Sequence, residues 1–180
     1  MIGVIIGHDI YKKGMTIYNG MTEFQFNYNI AQTINTLKPH NIMTFSRPVM
    51  PFHHACKAIA RTVSEFNIDT TVELHLNAFD NKTKILGCEV ITLDSEPSNF
   101  LAEHFENSFK KEYNFQVRGR RVLKSKGRGY LNLKNMERVG VKRSIIIEPC
   151  FADVSHIDSR QIIEQPDRYA RFIIETLESL

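Results

Sequence analysis

The spacing of apolar and polar residues changes along the chain, and these changes predict five strands. Short apolar runs are typical of buried strands, and such runs cover residues 2–6, 41–47, 85–93 and 143–149. Residues 70–79 instead alternate between apolar and polar side chains, which is typical of a strand with two different faces. These five segments form the predicted sheet.

Segments with apolar residues at helical spacing follow or separate these strands. The first begins at Thr22, where Gln25 three residues later completes a capping box, and it ends before Pro39. Because strands and helices alternate, we expect an α/β fold with helices on both faces of the sheet. The remaining predicted helices cover residues 52–67, 97–113 and 166–180.

The alternating strand carries an unusual set of polar side chains. Its apolar face is formed by Val72, Leu74 and Leu76, and its polar face by Glu73, His75 and Asn77. For a single strand, a sheet face in contact with water would explain this pattern. The polar face becomes a candidate site only if other segments bring compatible groups to the same end of the sheet.

Length and composition narrow the class of protein. With 180 residues, of which 42% are hydrophobic, the chain is large enough for one compact domain over residues 1–180. The three cysteines are odd in number and lie in apolar stretches, which indicates reduced thiols, and the absence of a Cys-x-x-Cys pair disfavours a thiolate zinc site. Seven histidines make metal or acid–base chemistry worth examining.

The start of the sequence does not resemble an export signal. The apolar run at residues 2–6 is short, follows no basic residues and leads directly into Gly7 and His8. No stretch of the sequence approaches the length of a membrane span. We therefore expect a protein that folds in a cytosol and does not insert into a membrane.

Three ionisable residues end or follow predicted strands. His8 comes directly after the first strand, His75 lies toward the end of the alternating strand, and Glu148 ends the last strand. In open α/β sheets, ligands bind beyond the carboxyl ends of the strands. Glu23 is a fourth candidate in the first turn of a helix, although capping alone would account for it. Singly, each residue has an ordinary structural explanation, and only their convergence favours a site.

These four residues match the composition of a catalytic zinc site. Two neutral imidazoles and one carboxylate, here His8, His75 and Glu23, make a three-ligand site with a fourth position open for water. A separate carboxylate, Glu148, can take a proton from that water and pass it to a leaving amine. The sequence therefore predicts one Zn²⁺ per chain, with ligands that converge from distant segments.

Several motifs resemble the catalytic domain of zinc-dependent N-acetylmuramoyl-L-alanine amidases. In chain order they read IGVIIGHD, TEFQFNYNIAQTI, VELHLNAF, GCEVI and IIIEPCF, and with the C-terminal helix they span nearly the whole chain. The His-x-Asn-Ala element at residues 75–78 is the most specific of them. One departure is Glu73, which stands where this family often has serine.

The resemblance implies a fold, a ligand set and an activity. It implies a twisted, mixed, mostly parallel sheet wrapped by helices, zinc ligation by His8, Glu23 and His75, and an essential Glu148. The implied reaction is hydrolysis of the amide bond between N-acetylmuramic acid and L-alanine in bacterial peptidoglycan. A compact catalytic domain of this kind resembles a phage endolysin, which would stay in the cytoplasm of the bacterial host until its release to the cell wall during host lysis.

The basic segment, residues 118–143, carries ten lysines and arginines and a single acid, Glu137. This asymmetry suggests an anionic partner, either wall polymers for an amidase or the phosphates of a nucleic acid. Tyr130 is its one interleaved aromatic residue, and no recognised nucleic-acid-binding module is present, which disfavours a nucleic acid. The alternatives are a solvated basic loop, a zinc peptidase acting on another amide, and a basic nucleic-acid-binding protein with an incidental metal site.

Overall fold

The computed structural model describes residues 1–37, 39–78, 87–127 and 129–180. Within these ranges the chain forms six strands and six helices. In chain order they are β1 (Ile2–Ile6), α1 (Glu23–Leu37), β2 (Ile42–Ser46), α2 (Phe52–Glu65), β3 (Thr70–Leu74), β4 (Cys88–Leu93), α3 (Glu96–Tyr113), β5 (Val117–Leu123), α4 (Tyr130–Arg138), β6 (Arg143–Glu148), α5 (Ile157–Ile163) and α6 (Pro166–Glu178). Each of these helices is too short or too polar to cross a lipid bilayer.

The six strands pair into a mixed sheet with the order β2-β1-β3-β6-β4-β5. Strands β2, β1, β3 and β6 run parallel, whereas β4 runs antiparallel to β6 and parallel to β5. Leu74 pairs with Ile6 on one side and with Ile147 on the other, so the three central parallel strands end level with one another. The residues that follow these ends therefore meet at one edge of the sheet.

Helices cover both faces of the sheet. One face packs against α1, α3 and α6 through fully buried side chains such as Val4, Leu74 and Ile147. The other face packs against α2 and α4 through side chains such as Ile5 and Ile146. Neighbouring residues of one strand thus enter different cores, which explains why β1 and β6 are apolar without alternation. The predicted α/β fold with a mixed, mostly parallel sheet is confirmed.

Helix α1 starts with the predicted capping box. The Thr22 backbone N–H donates to Gln25 Oε1 at 3.0 Å, and the Gln25 N–H donates to Thr22 Oγ1 at 3.3 Å. Both bonds satisfy backbone amides that have no partner inside the helix. The box holds the first turn in place and with it Glu23, the first residue of the helix.

The regular ladder of the alternating strand ends at Leu74, so residues 75–78 of the predicted strand 70–79 lie beyond it, and residue 79 lies outside the described residues. Beyond this point separated bonds continue, from the His75 N–H to the Ile147 carbonyl at 3.0 Å, from the Asn77 N–H to the Cys150 carbonyl at 2.9 Å and from the Ala152 N–H to the Asn77 carbonyl at 3.0 Å. The loosened backbone leaves the His75 side chain at the sheet edge rather than inside a regular ladder.

The predicted strand at residues 85–93 begins at Cys88 in the structure. Residues 85 and 86, the first two of the predicted strand, lie outside the described residues.

The apolar pattern does not predict three of the elements, β5, α4 and α5. Strand β5 lies at the edge of the sheet, and its sequence VRGRRVL contains three arginines and no apolar alternation. Helix α4 buries only one face, through Leu133 and Met136 among others, and α5 has seven residues. Periodicity is too weak a signal for polar edge strands and short helices. Most of the basic segment is thus ordered secondary structure, so its interpretation as a solvated loop is wrong for β5 and α4.

Candidate metal centre

The loop after β1 brings His8 to the sheet edge in an uncommon backbone conformation. His8 has a φ of 67°, in the left-handed region that residues with side chains rarely adopt. A Cβ atom on the preceding Gly7 would lie 2.2 Å from the Leu74 carbonyl oxygen and 2.8 Å from the His75 ring. Only glycine fits at this position, so the Gly-His pair lets β1 approach the second histidine directly.

The carboxylate of Glu23 faces both histidines. Its Oε2 atom lies 3.1 Å from His8 Nε2, and its Oε1 atom lies 3.0 Å from His75 Nδ1. The backbone N–H of Leu76 donates to Oε1 at 2.9 Å, and that of Met15 donates to Oε2 at 3.3 Å. These contacts go to other segments of the chain, so capping of its own helix does not account for this buried carboxylate.

The donor atoms of His8, Glu23 and His75 all lie within 4.8 Å of one another. The two imidazole rings meet edge to face, with centroids 4.9 Å apart. Two imidazole nitrogens and a carboxylate oxygen are a donor set found in catalytic zinc sites, so these side chains fit zinc by their chemistry. The structure brings the three predicted ligands together, and their ligation of zinc stays a prediction.

Opposite charges stabilise each other in this cluster. Burial alone would lower the pKa of His75, but hydrogen bonds with Glu23 and Glu73 outweigh burial and raise the pKa from 6.5 to about 9. Burial alone would raise the pKa of Glu23, yet hydrogen bonds with His75 and His8 hold it well below its ordinary value. A divalent cation that binds between these groups must therefore displace a proton from His75.

Glu148 is the last residue of β6 and is 1% exposed. It lines a cavity of about 720 Å³ together with His8, Glu23 and His75. This volume falls within the roughly 300–1,000 Å³ of small-molecule pockets. The four residues predicted from the sequence thus share one cavity, and the role of Glu148 in proton transfer stays a prediction.

Comparison with known proteins agrees with this geometry. Residues 2–179 match the family described as N-acetylmuramoyl-L-alanine amidase. The chain belongs to this family. It is an amidase of that class, and the resemblance based on its five motifs is confirmed. No curated protein matches the chain.

Solved structures of amidases share the fold. N-acetylmuramoyl-L-alanine amidase from Clostridium difficile 630 aligns with a TM-score of 0.73 at 20% identity, over 99% of this chain and 95% of that chain. The amidase AmiC2 of Nostoc punctiforme aligns with a TM-score of 0.70 at 20% identity, over 99% and 97% of the two chains. The apo form of Ami1 from Mycobacterium abscessus aligns with a TM-score of 0.73 at 14% identity, again over 99% and 97%. Identities this low show a common fold, whereas the family match shows the class of enzyme.

Behind His75, the amidase contains a buried polar group that the motifs do not reveal. Glu73 Oε1 lies 2.9 Å from His75 Nε2, and Glu73 also forms an ion pair with Arg47. The side-chain amide of Asn132 donates to both Glu73 oxygens at 2.9 Å. Cys56 Sγ donates to Asn132 Oδ1 at 2.7 Å. The polar face of β3 therefore contacts other protein groups rather than bulk water.

The sequence pattern indicated part of this buried polar group. The alternation of β3 puts Glu73 and His75 on one face, so their proximity follows from the strand pattern. Arg47 directly follows β2 and Asn132 lies in α4, the helix that periodicity does not predict. Their contact with Glu73 depends on how the two elements pack, for which no local signal exists.

Proposed function

We propose that this amidase depends on zinc and that it cleaves the amide bond between the lactyl group of N-acetylmuramic acid and L-alanine in peptidoglycan. The observation that carries the proposal is the 4.8 Å donor cluster of His8, Glu23 and His75, in a cavity also lined by Glu148. The three clustered residues would hold the ion. When bound, zinc polarises carbonyl groups as a Lewis acid and lowers the pKa of water to about 7.

Glu148 serves as the proton carrier in this proposal. Its carboxylate takes a proton from the attacking water as the water oxygen bonds to the lactyl carbonyl carbon. It then gives a proton to the nitrogen as the carbon–nitrogen bond breaks, so one water yields a lactyl carboxylate and a free L-alanine amino group. Because Glu148 is 1% exposed, little bulk water competes for the proton that it holds.

The walls of the cavity suit a peptide with carboxylate groups. Lys12 and Lys13 line it with positive charge, and Phe52 and Ile91 line it with apolar surface. Arg47 also lies in the lining, but its charge is paired with Glu73. Stem peptides of peptidoglycan combine short aliphatic side chains with free carboxylates, which such walls can contact. The two lysines are the groups that would pair with a carboxylate of the substrate.

Zinc removal tests the proposed function. Protein purified without chelator should contain about one zinc per chain by elemental analysis. Removing the metal should abolish the release of L-alanine amino termini from purified peptidoglycan, and adding zinc back should restore it. Full activity of the zinc-stripped protein would contradict the proposal. New amino termini other than alanine would instead favour a zinc peptidase acting on another amide.

We also propose that the amidase acts as a phage endolysin, from the host cytoplasm, once the host membrane has been opened. What supports this role is the resemblance of a compact amidase catalytic domain to phage endolysins. Cells that express the protein should remain intact until a membrane-permeabilising agent is added and should then lyse. Lysis without permeabilisation, or intact cells after it, would contradict the role.

Anionic wall polymers are the proposed partner of the basic segment. Local ion pairs already engage part of its charge, since Arg120 lies 3.2 Å from Glu106 and Arg121 lies 3.8 Å from Glu89. The exposed Lys124 and Lys126 are therefore better test positions. Reversing both charges should weaken clearance of whole walls at low salt while sparing small soluble fragments, because exposed charges act over roughly 10 Å at 0.1 M salt. Unchanged clearance at every salt concentration would contradict the proposed contact.

A further inference from the structure

The His75 ring is held at both of its nitrogens. Nδ1 lies 3.0 Å from Glu23 Oε1, on the side of the candidate ligands. Nε2 lies 2.9 Å from Glu73 Oε1. Because a carboxylate only accepts hydrogen bonds, the contact with Glu73 is made by a proton on Nε2. Nδ1 also faces a carboxylate, but Glu23 is itself a candidate ligand, so a cation bound by Glu23 would take the place of the proton on Nδ1.

Glu73 is in turn held by buried groups from two other elements. Its ion pair with Arg47 reaches the end of β2, and its two hydrogen bonds from Asn132 reach α4. Glu73, Arg47 and Asn132 are 4%, 7% and 5% exposed. His75, Arg47 and Asn132 together hold the Glu73 carboxylate in a defined orientation.

The position of Glu73 in the sheet is one that an apolar residue would fill. Its register partners are Ile5 in β1 and Ile146 in β6, both almost completely buried. A buried ion pair is often no more stabilising than apolar side chains of similar volume. Fold stability alone therefore does not account for an acid, a guanidinium and an amide at this point of the core.

We propose that Glu73 is a positioning residue for the metal centre, and that it keeps the proton on His75 Nε2 so that Nδ1 faces the ion shared with His8 and Glu23. The inference rests on the zinc dependence proposed above. Metal-binding histidines commonly donate their second N–H to a carboxylate or carbonyl, which sets the ring orientation and the basicity of the ligand. Arg47 acts through Glu73 by holding its carboxylate in place beside His75.

Three variants separate positioning from stability. Glu73→Leu removes the acceptor, Glu73→Gln keeps an oxygen that can accept from Nε2, and Arg47→Met/Glu73→Leu replaces the whole ion pair with apolar side chains. Zinc affinity is measured on folded protein by competition with a chromophoric chelator, beside the melting temperature. Glu106→Leu is the matched control, because it also removes an arginine-paired carboxylate, from the Arg120 pair at the sheet edge.

The expected pattern distinguishes the two roles. Glu73→Leu should weaken zinc binding by about 10–100-fold, the usual cost of removing such a partner, and Glu73→Gln should weaken it less. The double variant should regain much of the lost melting temperature, since no unpaired guanidinium stays buried, yet it should still bind zinc weakly. Glu106→Leu should bind zinc like the unaltered protein.

Two results of the zinc titrations would overturn the inference. Unaltered zinc affinity in the double variant would mean that Glu73 only neutralises Arg47, although the zinc function would stand. Failure of the unaltered protein to bind zinc would overturn both proposals. A measurement without any substitution gives a second test: nitrogen-15 NMR of the zinc-loaded protein should show the His75 proton on Nε2, and a proton on Nδ1 would refute the role of Glu73.

Discussion

Replacing Glu148 by glutamine separates proton transfer from folding. Glutamine keeps the size of the side chain and its hydrogen-bonding oxygen, but it cannot take up a proton from water. Glu148 does not belong to the three-residue donor cluster, so the variant should keep its zinc. Glu148 ends a central strand and is 1% exposed. If its role were only structural, replacing it would lower the stability of the fold more than the activity.

The size of the effect follows from two proton transfers that depend on one carboxylate. A general acid–base group typically contributes 10²–10⁴-fold to the rate. Because Glu148 would both activate the water and protonate the amine, we expect a loss near the upper end, about 10⁴-fold. That loss corresponds to about 5 kcal/mol of transition-state stabilisation. A purely structural role predicts the opposite pattern, with turnover kept and melting temperature lowered.

The assay measures turnover on purified peptidoglycan, zinc content and melting temperature for the same preparation. Glu89→Gln is the matched control, because Glu89 pairs directly with Glu148 across β4 and β6 and carries the same charge. The control should retain near-normal turnover. Near-normal turnover of Glu148→Gln would refute its catalytic role. Loss of zinc from that variant would instead make Glu148 a ligand, and the assignment of Glu23 would then have to change.

Four further predictions concern the metal centre. His75→Ala should lose the bound zinc, because only two ligands remain, and full metal content in this variant by elemental analysis would contradict the assignment. Gly7→Ala should lower zinc affinity and activity together, since its Cβ would lie 2.2 Å from the Leu74 carbonyl oxygen; an unchanged zinc titration would show that the loop can adjust. Because the pKa of His75 is raised to about 9, the stability of the zinc-stripped protein should depend on pH. The contribution of protonated His75 to this stability is complete below about pH 6.5 and is lost as pH rises through 9. Denaturant unfolding with chelator should therefore show a few kcal/mol less stability at pH 10 than at pH 6, and His75→Gln should make that difference smaller. The part that remains belongs to groups such as the buried thiols of Cys56, Cys88 and Cys150, whose pKa values are also raised by burial. With zinc, the same proton must leave His75, so affinity should fall as pH drops below 9, and a flat affinity profile would refute this.

Much of the basic segment is divided between two elements of the fold, β5 and α4. Strand β5 lies at the sheet edge and α4 packs on one sheet face, where it supplies Asn132 to Glu73. The many basic residues of this segment therefore do not form a single charged surface. The salt dependence of Lys124 and Lys126 variants measures how much of that charge reaches the wall.

The amino-acid sequence by itself determined the central strands, the start of α1 and the residues of the candidate site. Apolar runs such as residues 2–6 can only be buried, and the capping box at Thr22 defines where a helix begins. His8, His75 and Glu148 follow or end strands of this kind, so parallel pairing alone brings them to one edge. These predictions rest on local sequence patterns. The fold agrees with them because burial of apolar residues and backbone hydrogen bonding act on the same local segments.

The tertiary structure alone decided which groups surround these residues. Periodicity could not reveal β5 or α4, because neither an edge strand rich in arginine nor a short helix with one buried face has a strong apolar pattern. The contacts of Arg47 and Asn132 with Glu73 join segments far apart in the sequence, and they exist only because β2 and α4 pack beside β3. The orientation of the His75 ring depends on those contacts, since a side chain buried among charges takes the rotamer that satisfies its hydrogen bonds.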